Sequence, residues 1–61
     1  MNDKIRAVII DDEETAIDNL CFELKKYPWS SVEGIAYNGK AGIRLLEKER
    51  PDLLFLDVEL P

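Results

Sequence analysis

Asp11 and Asp12 follow directly on the apolar run Ile5–Ile10, and Asp57 follows directly on the apolar run Leu53–Leu56. A carboxylate can attack phosphorus and form an acyl phosphate. Several carboxylates brought into one site repel one another and need a counter-charge. A hard divalent cation supplies it, since Mg²⁺ prefers oxygen ligands and is held by carboxylates together with water and substrate phosphate. Such an ion also neutralises charge on phosphoryl oxygens during transfer. The pattern therefore predicts nucleophilic attack by Asp57 on a phosphoryl group, beside Mg²⁺ held with Asp11 and Asp12. Taken singly, each residue has a plainer reading. Asp12 suits a helix N-cap, Glu13 and Glu14 complement a helix dipole, and Asp57 suits a turn at a strand end. The combination, at the ends of two apolar runs, is what points to chemistry.

For the acids to meet, the intervening chain must fold in a particular way. Ile5–Ile10, apolar except for Arg6, reads as a strand buried on both faces. Over residues 15–27 the period changes. Ala16, Ile17, Leu20, Cys21, Leu24 and Tyr27 fall on one stripe of an amphipathic helix, with Asp12 as its cap, Lys25 and Lys26 at its end and Pro28 as its stop. Residues 29–31 read as a connector and residues 32–37 as a second strand, weakened by Glu33 and Gly34. Asn38-Gly39 is a turn signal. Residues 40–50 read as a second helix, in which Ile43 and Leu46 share a face with Gly39 and Gly42 and let the helix lie close to a sheet. Pro51-Asp52 ends it, and Leu53–Leu56 reads as a third buried strand. Asp3, Asp18 and Asp52 read as surface or turn residues, Lys4 and Arg6 as strand-edge charges, and Cys21 as packing.

The order β-α-β-α-β argues for a parallel sheet with right-handed crossovers. In such a sheet all strand C-termini share one edge, where open α/β sheets bind ligands. If strands one and three are neighbours, their ends lie about 4.8 Å apart and Asp11, Asp12 and Asp57 converge.

Composition narrows the class without naming a function. With one Cys and no His, an intrachain disulfide cannot form and a zinc site is disfavoured. A lone Cys fits a reducing cytosol. Charges run through the first twenty residues, so no signal peptide is expected, and no apolar stretch is long enough to span a membrane. A net charge of −5 argues against nucleic-acid binding by this segment. A cytoplasmic α/β domain is the expectation.

The chain resembles the receiver domain of two-component response regulators. Ala7-Val8-Ile9-Ile10-Asp11-Asp12-Glu13 is similar to the first strand and acidic pair of that family. Asn38-Gly39 with Ile43 and Leu46 resembles its second helix entry, and the run from Pro51 to Pro61 resembles its phosphoacceptor segment. The wording around Asp11 and Asp57 is most similar to receivers of LytTR-type (LytR/AlgR) regulators, which carry a C-terminal DNA-binding domain. The resemblance implies a truncated flavodoxin-like (CheY-like) receiver with strand order 2-1-3, making residues 1–61 a partial receiver domain. It implies that Asp57 takes a phosphoryl group from a sensor histidine kinase. It further implies that Asp12 and Asp57 contact Mg²⁺ directly, that Glu59 contributes its backbone carbonyl, and that Asp11 acts through a bound water. Such a module is a phosphoacceptor rather than a conventional enzyme, and it controls transcription through a separate DNA-binding domain.

A whole receiver has five strands and about twice this length. Its hydroxyl residue after strand four and its lysine after strand five have no counterpart in these 61 residues. The expectation is thus a fragment whose strand-three edge, Leu53–Leu56, is covered by self-association. Two other readings compete. One is an inactive structural or interaction fragment. The other is a haloacid-dehalogenase-type phosphohydrolase, suggested by Phe55-Leu56-Asp57-Val58-Glu59, although that reading leaves Asp11 and Asp12 unexplained.

Overall fold

The computed structural model describes residues 4–57. The chain runs β1 (Ile5–Ile10), α1 (Glu14–Leu24), β2 (Ser30–Ala36), α2 (Gly39–Glu49) and β3 (Leu53–Leu56). The strands form one parallel sheet in the order β2-β1-β3. The most apolar strand is therefore central, and Ala7, Val8, Ile9 and Ile10 are buried in it.

Side chains of a strand alternate between faces, which splits the core in two. Val8, Ile10 and Ala36 pack with Leu45 and Leu46 of α2. On the other face Ile9 and Phe55 lie beneath Ala16 and Leu20 of α1. Gly42 is the point of closest approach between α2 and β1. A methyl group there would come within 2.5 Å of Ile10 Cδ1.

The element boundaries differ from the sequence reading in several places. Strand β2 begins at Ser30 rather than Val32, because Ile5 N–H donates to the Trp29 carbonyl at 2.7 Å and starts the ladder early. The weakness expected at Glu33 and Gly34 is a bulge. Ala7 pairs with Val32 and Val8 with Gly34, so Glu33 has no partner of its own on β1. Helix α1 stops at Leu24, and the amides of Lys26 and Tyr27 bond three residues back, to Glu23 and Leu24, in a tightened turn before Pro28. Tyr27 is thereby taken off the core stripe and set against Trp29, with ring centroids 5.3 Å apart.

Asp12 is not the N-cap of α1. That position falls to Glu13, whose side chain makes no capping bond. Asn38, read only as part of a turn, is the N-cap of α2, and its side-chain oxygen accepts from Ala41 N–H at 2.8 Å. Ile43 points away from the sheet and is 62% exposed, because the buried stripe of α2 runs through Gly42, Leu45, Leu46 and Glu49. The expectation of a buried third strand also fails among the described residues. Leu53, Leu54 and Leu56 are 40%, 38% and 54% exposed. Among the described residues β3 is an edge strand, at one end of the order β2-β1-β3.

Candidate functional site

The two aspartate-bearing strand ends are fixed by the sheet itself. Strand β1 bonds to both neighbours, and the ladders run one residue past each strand. Asp11 N–H donates to the Ala36 carbonyl at 3.0 Å, and Asp57 N–H donates to the Ile10 carbonyl at 3.0 Å. Both backbones are thus held at the same edge of the sheet, side by side. Asp11 Oδ1 accepts from Glu13 N–H at 2.8 Å, a local turn that lifts the chain out of the sheet and into α1.

The three acids singled out in the sequence meet. One carboxylate oxygen each from Asp11, Asp12 and Asp57 lies within 4.8 Å of the other two. Asp11 and Asp57 are half-buried and Asp12 is exposed. A cleft of about 220 Å³ that includes Asp11 and Asp57 in its lining is otherwise walled by Ile9, Ile10, Ala16, Leu20, Phe55 and Leu56. Two carboxylates in an otherwise apolar cleft are suited to a small anion held through a cation. All three donors are oxygens, the set that hard cations such as Mg²⁺ prefer over nitrogen or sulfur sites. The residues therefore fit the ion their chemistry called for. A larger cleft of about 370 Å³, between α1 and β2, is lined by Cys21, Leu24, Val32 and Ile35 and holds no carboxylate. Glu59 lies outside the described residues.

Two residues that the sequence reading set aside as surface charges are engaged. Asp52 accepts from Arg6 N–H through Oδ2 at 2.9 Å, and its own N–H donates to the Arg6 carbonyl at 2.8 Å. The Arg6 guanidinium reaches the Arg50 carbonyl and Glu49. The one signal in the sequence was Arg6 itself, a charge inside an apolar run.

No family model matches the chain. Similar proteins are nonetheless plain. The transcriptional regulatory protein BtsR of Shigella flexneri is 39% identical over 57 residues, 93% of this chain. BtsR of Escherichia coli strain K12 matches equally over the same length. A protein-glutamate methylesterase/protein-glutamine glutaminase of Alkalilimnicola ehrlichii is 33% identical over 58 residues. The solved structure of RcsB from Salmonella enterica serovar Typhimurium, bound to promoter rprA in the presence of the phosphomimetic BeF3−, superposes with a TM-score of 0.89 over 95% of this chain at 24% identity. At that identity the likeness is one of fold: three parallel strands in the order 2-1-3 with two helices, the flavodoxin-like (CheY-like) α/β arrangement expected from the sequence. The chain spans 24% of the length of BtsR, 15% of the methylesterase and 29% of the RcsB chain.

Proposed function

We propose that this chain is the phosphoacceptor portion of a response-regulator receiver domain, with Asp57 as the residue phosphorylated. The observation that carries the reading is the meeting of Asp11, Asp12 and Asp57 within 4.8 Å at the C-terminal edge of a parallel sheet. An Asp57 carboxylate oxygen attacks the phosphorus of a phosphohistidine on a sensor histidine kinase. The phosphorus–nitrogen bond breaks, its electron pair stays on the imidazole, and Asp57 becomes an aspartyl phosphate. Asp57 is presented for this by its backbone bond to Ile10, which sets the carboxylate at the rim of the cleft. Asp11 and Asp12, with Asp57 and the Glu59 backbone carbonyl, would hold Mg²⁺. When bound, that ion neutralises charge on the phosphoryl oxygens. The first turn, Asp11 Oδ1 to Glu13 N–H, keeps the Asp11 side chain at the site rather than in solvent.

The module acts in signalling, in the cytoplasm, and is not itself an enzyme of turnover. Its output runs through a DNA-binding domain, which the LytTR-like wording of its motifs supports. The similar protein BtsR, a transcriptional regulatory protein, agrees with an output of that kind. The β3 edge, with three of its four leucine and phenylalanine side chains exposed, favours pairing between copies of the 61-residue chain.

Incubation with acetyl phosphate and Mg²⁺, followed by intact mass, tests the reading. A single phosphoryl adduct is expected, absent without Mg²⁺ and absent in Asp57→Ala. An adduct that survives Asp57→Ala would overturn the site.

A further inference from the structure

Strand β3 is short and apolar on both faces, Leu53-Leu54-Phe55-Leu56, and β1 beside it reads Ala7-Val8-Ile9-Ile10 across the four paired positions. Register is set strongly where one face is buried and the other polar, because a one-residue slip then exposes the whole core set. Here a slip exchanges one apolar side chain for another. The pattern of side chains alone therefore does little to choose between registers. Yet the site depends on the choice. A slip of one residue moves Asp57 by about 3.3 Å along the strand and turns its side chain to the opposite face.

The structure assigns the choice of register to Asp52 and Arg6, at the end of the sheet remote from the acids. Both lie immediately before the first pair, Ala7 with Leu53. Asp52 N–H donates to the Arg6 carbonyl at 2.8 Å while Asp52 Oδ2 accepts from Arg6 N–H at 2.9 Å. This two-bond clasp satisfies both backbone groups of Arg6, and only a residue with a short acceptor side chain at position 52 can close it. Moving β3 by one residue would place Pro51 or Leu53 there, and neither has an acceptor on its side chain.

The Arg6 side chain braces the same corner. Nη1 donates to the Arg50 carbonyl at 3.1 Å and Nη2 meets Glu49 Oε1 at 3.2 Å. Arg50 is the one described non-glycine residue with positive φ, at 44°. It sits between the end of α2 and Pro51, which disfavours helical backbone in the residue before it. Arg6 thus holds the carbonyl of the strained residue that delivers the chain into β3. Four apolar pairs are bracketed by this clasp at one end and by Asp57 N–H to the Ile10 carbonyl at the other. Asp52 and Arg6 are positioning residues for Asp57. Their role at an Mg²⁺ site rests on the function proposed above, but the register itself does not.

Amide hydrogen exchange and Mg²⁺ titration by NMR, on the full-length protein, test this separately. In Asp52→Ala the Asp57 amide should lose protection and apparent Mg²⁺ affinity should fall about fivefold or more, the shift that loss of one net hydrogen bond produces in an equilibrium. Asp52→Asn keeps an acceptor in the same place and should restore both. Native Asp57 protection in Asp52→Ala would overturn the inference, as would a folded Asp52→Asn that behaves like Asp52→Ala. If Asp52→Ala does not fold, the wild-type protein decides. Scalar coupling across the bond from Arg6 N–H to the Asp52 carboxylate is expected, and its absence overturns the clasp. A wild-type protein that shows the coupling and the protection but no Mg²⁺ response would leave the register assignment standing and contradict the metal site.

Discussion

Asp11 has two tasks, and its two oxygens allow both. One accepts from Glu13 N–H and shapes the entry into α1, while the residue also stands within 4.8 Å of Asp12 and Asp57. Asp11→Asn retains the acceptor and removes the charge. Its stability without metal should stay within about 0.5 kcal/mol of wild type, while the rise in Tm on adding Mg²⁺ should shrink. Asp11→Ala loses the turn as well and should cost about 1 kcal/mol even without metal. Thermal denaturation with and without Mg²⁺ separates the two effects, because an ion that binds only the folded chain stabilises it by about 2.7 kcal/mol at a hundred times its Kd. These acids were legible in the sequence because each directly ends an apolar run. The Arg6–Asp52 clasp was not, because its partners are 46 residues apart and each alone looks like an ordinary surface charge.

At the scale of elements, α2 shows what one atom of space can decide. Gly39 and Gly42 are one turn apart, yet a methyl group at Gly39 meets nothing within 4 Å and one at Gly42 meets buried Ile10. Gly39→Ala should be neutral or stabilise by up to about 1 kcal/mol through reduced backbone entropy. Gly42→Ala should destabilise by about 1–3 kcal/mol, less the same helical gain, since Ile10 has no room to retreat. Urea denaturation of the two variants gives the signs. The sequence did place all five elements and their type, because the strands are apolar runs and the helices are periodic. It placed Gly42 and Leu46 on the sheet-facing side but took Ile43 as their apolar companion where the covered stripe runs through Leu45. The bulge at Glu33 showed in the sequence only as a weak strand.

The whole molecule is a half-covered sheet. From Ala7 to Ile10, β1 is buried on both faces and paired along both edges, whereas β3 has β1 on one side and no strand on the other among the described residues. Its exposure escaped the sequence reading because an apolar run looks the same whether or not something covers it. Light scattering of the 61-residue chain should show a mass that rises with concentration, and Leu56→Lys should hold it closer to the monomer. A monomeric mass at every concentration would contradict pairing through that edge. The central claim concerns Asp57, and covalent trapping tests it most directly. After incubation with acetyl phosphate and Mg²⁺, borohydride reduces an aspartyl phosphate to homoserine, and peptide mass spectrometry locates the change. Homoserine at position 57, and at no other aspartate, is the predicted result. An unaltered Asp57 with the label at Asp11, Asp12 or elsewhere would contradict it.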